Sequence, residues 1–138
     1  MTAEIFPDYC VMSADLFVRS AKEGYDSKEF INRLMRSDLA KVLYHNSYTQ
    51  MWRGSAYIIE TLETETFLPK GDTYPYEFME WTGYLFEYWK QAYPEDSAGD
   101  MIRQAPVETL LRAYTGLHVM SFADAIADLK EINTDKHK

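Results

Sequence analysis

The chain has 138 residues, 46% of them hydrophobic, which is enough for one domain with a real core and too apolar for disorder throughout. Asp and Glu number 22 against 14 Lys and Arg, a formal net charge of −8 that argues against ordinary DNA or RNA binding and against anionic membranes, since both need a basic surface. One cysteine, Cys10, excludes an internal disulfide and a cysteine-based zinc site; with no basic-then-apolar leader and no apolar run near the ~18 residues of a membrane helix, a soluble cytoplasmic protein is expected.

The apolar pattern predicts helices in succession. The first runs from Asp8, a capping residue, to Glu23, with Gly24 as the left-handed stop. Ser27 caps a second carrying Phe30, Ile31, Leu34 and Met35, and Ser37 re-caps a further turn through Leu39, Val42 and Leu43. His45 to Trp52 has no clear period and reads as a loop. A third helix starts near Ser55 with Ile58, Ile59 and Leu62; Thr66-Phe67 reads as extended, and Thr64 to Leu68 is at most a short, isolated strand. Pro69, Gly71 and Pro75 break the chain before a fourth helix over Tyr76–Ala92. Gly83 inside that helix costs up to ~1 kcal/mol against Ala, so another element is expected to pack closely there. Trp81, Leu85, Tyr88, Trp89 and Ala92 share one of its faces, and the second face needs cover from another helix or from a second copy of the chain, a homodimer.

Pro94 ends the fourth helix. Ser97 with Asp100 forms a capping pair for a short fifth helix through Ile102. Pro106 suits the first position of a sixth, with Leu110, Leu111 and Tyr114 buried and Gly116 at its end. Ser121 caps a seventh, where Phe122, Ala125, Ile126, Leu129 and Ile132 form an amphipathic stripe. The expected fold is all-α, a compact single-domain bundle of roughly six to seven helices over residues 1–132, with a frayed tail at 133–138.

Little conventional chemistry is legible. His45, His118 and His137 lack metal-ligand spacing, and the carboxylate pairs Glu60/Glu63 and Glu77/Glu80 have no histidine beside them, so no metal is expected. Cys10 sits in an apolar helix with no basic neighbour and reads as an inert buried thiol. No GxSxG elbow, GxGxxG loop or Walker pattern exists, and neither a catalytic site nor a cofactor is expected. His118, between two helices, is the one candidate base, together with Tyr114 or a carboxylate.

Charge placement carries more information. Met1–Arg53 holds seven acids and seven bases, and Ile102–Lys138 five of each. Gly54–Met101 holds ten acids against Lys70 and Lys90 alone, so the whole excess lies there. The same segment packs nine aromatics into the 20 residues Tyr74–Tyr93, too many for one buried face. Exposed tyrosines beside carboxylates suit a basic protein partner. The candidate contact residues are Tyr74, Tyr76, Glu77, Glu80, Tyr84, Glu87, Tyr93, Glu95, Asp96 and Asp100.

Four blocks carry a resemblance: SKEFINRLMRSDLA at Ser27–Ala40, GSAYIIE at Gly54–Glu60, EWTGYLFEYWKQAYPEDSAGDMIRQAP at Glu80–Pro106, and LLRAYTGLH followed by FADAIADLKE. In order and spacing, Phe30 to Leu129 resembles a family of small, uncharacterised helical proteins of Gram-positive gut bacteria, found near toxin–antitoxin or mobile-element genes. The resemblance implies an antitoxin-like or accessory role and carries no catalytic motif. The expected function is a non-enzymatic, acidic, protein-binding inhibitor that neutralises a partner. The alternative is an anti-CRISPR type inhibitor whose carboxylates mimic nucleic acid in the groove of a nuclease. A small enzyme using His118 is the third.

Overall fold

The computed structural model describes the backbone of residues 5–44 and 51–136 and the side chains of residues 5–44 and 51–132. These residues form an all-α fold of eight helices with no strand among them. In chain order they are α1 (Pro7–Lys22), α2 (Ser27–Met35), α3 (Asp38–Leu43), α4 (Ser55–Glu65), α5 (Tyr76–Ala92), α6 (Ala98–Gln104), α7 (Val107–Leu117) and α8 (Phe122–Lys136). The count exceeds six to seven because Ser37 opens a separate helix, its Oγ accepting from Ala40 N at 3.0 Å. Of the expected loop His45–Trp52 only Met51 and Trp52 are described, and the tail residues 137–138 lie outside.

The helix starts differ locally from the expected caps. Pro7 takes the first position of α1, which needs no N–H there, so Asp8 falls within the first turn instead of capping it. Asp26, not Ser27, caps α2 by accepting from Glu29 N at 3.0 Å. Ser27 is thereby free to accept from Tyr74 N at 2.9 Å, one of several bonds that pin the 66–75 loop to the α1–α2 turn. Tyr25 and Lys70 make an isolated bridge there, not a strand, and the Lys70 ammonium sits 3.8 Å from the Tyr25 ring centroid. Gly24, at φ 81°, makes the left-handed turn out of α1.

Later elements follow the same logic. Ser97 and Asp100 form a reciprocal capping box on α6, at 3.1 and 3.0 Å. Pro106 precedes α7 as its cap, one residue earlier than expected. Gly116 lies inside α7 rather than ending it; His118 caps the helix in right-handed geometry, its N–H on Tyr114 O, so no left-handed glycine is required. Leu111 is exposed instead of buried. Ser121 Oγ accepts from Asp124 N at 3.1 Å and starts α8, whose Ala125, Ile126 and Leu129 are fully buried while Ile132 is exposed.

α5 is the axis of the domain. Phe78, Met79, Trp81, Leu85, Phe86 and Trp89 are buried on it, spread around most of its circumference. Other helices of the same chain supply the cover, chiefly α1 on one side and α8 on another. Against α1 the approach is backbone to backbone. A Cβ on Gly83 would lie 2.6 Å from Ser13 O and 2.9 Å from Ala14 Cα, which explains a glycine in mid-helix. Ser13 Oγ donates to Gly83 O at 2.7 Å and accepts from Tyr44 OH at 2.9 Å, so these three groups of the seam satisfy one another.

Candidate partner-binding surface

The sequence assigned ten residues of the acidic segment to a contact surface; the structure separates them into three groups. Tyr76, Glu77, Glu80 and Glu95 are exposed. Tyr74, Tyr84 and Tyr93 are half-buried: Tyr74 meets the Phe78 ring edge-on, Tyr84 stacks on Phe122 at 4.5 Å, and Tyr93 lies under the Lys130 ammonium at 4.4 Å. The remaining three acids face inward or are used by the fold.

Glu87 is the clear correction. It is 1% exposed and cannot meet a partner. It stands one turn after Gly83 on the side of α5 that α1 covers, so the close approach at Gly83 encloses it as well. Burial pushes its carboxyl up to about 7, against the opposing pull of the Gln91 hydrogen bond and of Lys90. Its field and, above all, burial raise the Cys10 thiol to about 12, an inert state for a nucleophile.

Asp96 accepts from Lys130 Nζ at 2.7 Å and from Trp89 Nε1 at 2.9 Å. Partial burial pushes its carboxyl up, but these hydrogen bonds outweigh it and hold the group below the usual aspartate range. Asp100 is committed to the α6 capping box and to Arg103 at 2.9 Å. Its backbone bond from Ser97 and the Arg103 pairing hold it below the usual range too.

Glu77 and Glu80 differ from these: among the described residues neither has an ion-pair or hydrogen-bond partner. Both act on the Tyr114 hydroxyl, whose titration is raised first by burial and then by these two charges. Tyr114 in turn meets the rings of Phe78 and Trp81 edge-on at 5.4 Å each. Trp81 stacks toward Phe122, and Phe122 carries Tyr84 and Tyr88. The two free carboxylates thus border an aromatic sheet built by α5, α7 and α8. Leu111 lies one turn before Tyr114 on α7, and Val119 and Met120 fill the α7–α8 corner at 77% and 41% exposure. Tyr114, Leu111, Val119 and Met120 were not among the expected contacts. Leu111 and Tyr114 were read as core, but Leu111 is exposed and Tyr114 half-buried, because the neighbouring helices cover only part of the apolar face of α7.

His118 is exposed at the end of α7. Its ring stacks on Tyr114 at 4.5 Å, and its Nδ1 meets the Tyr114 carbonyl oxygen at 2.8 Å. That geometry extends the aromatic surface and ties up one ring nitrogen. Among the described residues no three His, Cys, Asp or Glu side chains converge as metal ligands, and no helix is long and apolar enough to cross a membrane. Comparison with family models, with curated proteins and with solved structures finds no match to this chain.

Proposed function

We propose that this chain is a non-enzymatic, cytoplasmic inhibitor that neutralises a basic partner protein, as an antitoxin does, by docking on the α5–α7–α8 edge. The observation behind it is the pair of exposed carboxylates, Glu77 and Glu80, unpaired among the described residues and near enough to Tyr114 to raise its titration, with His118 stacked on Tyr114 and Leu111, Val119 and Met120 exposed on the same stretch of chain. Aromatic and apolar groups supply contact area that gains from losing water, while rim carboxylates steer a basic surface into place. The resemblance to small helical proteins encoded near toxin–antitoxin and mobile-element genes points the same way.

Nucleic-acid mimicry in the manner of an anti-CRISPR inhibitor has less support. It calls for carboxylates repeated along one face, and on α5 the acid after Glu80 is Glu87, which is enclosed. Enzymatic use of His118 has less still, since its Nδ1 is held on its own helix.

The test is purification of the tagged protein from its host at low salt, beside a Glu77→Lys/Glu80→Lys variant. A stoichiometric basic protein is expected with the wild-type chain, released as salt rises and missing from the variant. Retention of the same protein by the variant removes this edge as the contact. A nuclease displaced by competing nucleic acid establishes mimicry instead.

A further inference from the structure

On the opposite side of α5, we propose that Glu87 makes the seating of α1 proton-linked: the seam is closed while its carboxyl is neutral, and the first turns of α1 open when it is charged. This is independent of the docking edge.

Three features carry the inference. The first is solvation. Glu87 is enclosed, its Oε2 accepts from Gln91 Nε2 at 2.8 Å, and among the described residues its Oε1 has no partner. The groups facing it are the Cys10 thiol from α1, the Tyr44 hydroxyl beyond α3, and Gln91 and Lys90 on its own helix. Cys10 and Tyr44 are both neutral, and Tyr44 gives its proton to Ser13. Lys90 turns its ammonium to the carbonyls of Pro94 and Asp96, at 2.6 and 2.8 Å. Among the described residues a carboxylate here therefore lacks a contacting cation, the most costly form of buried charge.

The second is coupling. The Gln91 amide that bonds Glu87 also clasps the main chain of Phe6, accepting from its N–H at 2.6 Å and donating to its carbonyl at 3.2 Å. One side chain thus joins the buried acid to the residue that caps α1. The third is tightness. At Gly83 the helices approach so closely that a Cβ has no room, and one turn on Glu87 is 1% exposed, so lifting the first turns of α1 would open it to water.

The sign follows from burial. The closed state raises the carboxyl from 4.5 to about 7, so it binds the proton more tightly than the open state does. Closure is fully favoured below the ordinary glutamate range and weakens as pH rises through neutrality.

Amide hydrogen exchange in α1, Val11 to Ser13, tests this across pH, corrected for the intrinsic rate. Protection is expected to fall about tenfold between pH 6 and pH 8.5 in the wild-type chain and to stay constant in Glu87→Gln. At pH 8.5 these amides should exchange faster than those of Ile126 and Leu129 in α8. A wild-type profile that is flat, an equal slope in Glu87→Gln, or identical protection of α1 and α8 at every pH overturns the proposal. If Glu87→Gln does not fold, the wild-type Glu87 carboxyl carbon decides by NMR: titration near neutrality supports the proposal, and titration near the ordinary glutamate value overturns it.

Discussion

The two sides of α5 solve opposite problems with the same kind of sequence. Toward α1 the helix offers Gly83 and Glu87, and the result is a seam so tight that backbone meets backbone and a carboxylate is enclosed. Toward α7 and α8 it offers Trp81, Tyr84 and Tyr88, and the result is an aromatic layer in which Trp81 is buried, Tyr84 and Tyr88 are half-buried, and the rim is acidic. Large flat rings do not interdigitate as closely as a glycine notch, so one side closes and the other stays partly exposed. The closed side should dominate stability, and the open side should contribute little to it.

Gly83→Ala is expected to break the comparison most strongly. Its added Cβ would press on main-chain atoms of Ser13 and Ala14, which cannot rotate away, and on the Phe17 ring at 3.0 Å. Even after the gain in helix propensity, a loss of about 3 kcal/mol is expected from overpacking. Urea unfolding measures it; an unchanged midpoint would show that α1 and α5 slide apart freely.

Lys130→Met comes next. It strands Asp96 beside Trp89 in a site where the pair's side chains are only 27% and 14% exposed, and a loss of about 2 kcal/mol is expected. The pH profile sharpens the point. Asp96 titrates below the usual aspartate range, so its contribution is complete above about pH 4 and is lost as pH falls through its lower folded value. Glu87 acts in the reverse sense between 4.5 and about 7. Thermal stability of the wild-type chain should therefore peak on the acid side of neutrality, and Glu87→Gln should carry that plateau to pH 8. A smaller loss, about 1 kcal/mol, is expected for Ser97→Ala, which removes one half of the α6 capping box.

The contrast between the two sides also explains what was legible in the sequence. Helix type and order were readable because apolar spacing and caps are local: Tyr76–Ala92 matches α5, and Ser37, Ser97 and Ser121 each cap where their spacing places them. The notch was readable as well, since a mid-helix glycine has little other use. The burial of Glu87 followed from it, four residues on and on the same face, but a carboxylate in an acid-rich segment reads as surface. Asp96 was hidden for a different reason. Its partner Lys130 is 34 residues away, and nothing local announces a pair formed only by folding. Leu111 and Tyr114 looked like core because periodicity finds an apolar face without showing how far a neighbour covers it.

The open side yields the smallest effect on stability and the most informative one on binding. Among the described residues Glu77 and Glu80 touch no cation, so Glu77→Lys/Glu80→Lys breaks no bond between them. Its unfolding free energy should stay within about 0.5 kcal/mol of wild type, as for a change on an exposed face. Association with a basic partner should slow markedly at low salt, and the difference should shrink as salt screens the rim. Stopped-flow association beside urea unfolding separates the two. Loss of stability with an unchanged association rate would mean that the rim carboxylates serve the fold, and that the aromatic sheet binds without electrostatic guidance.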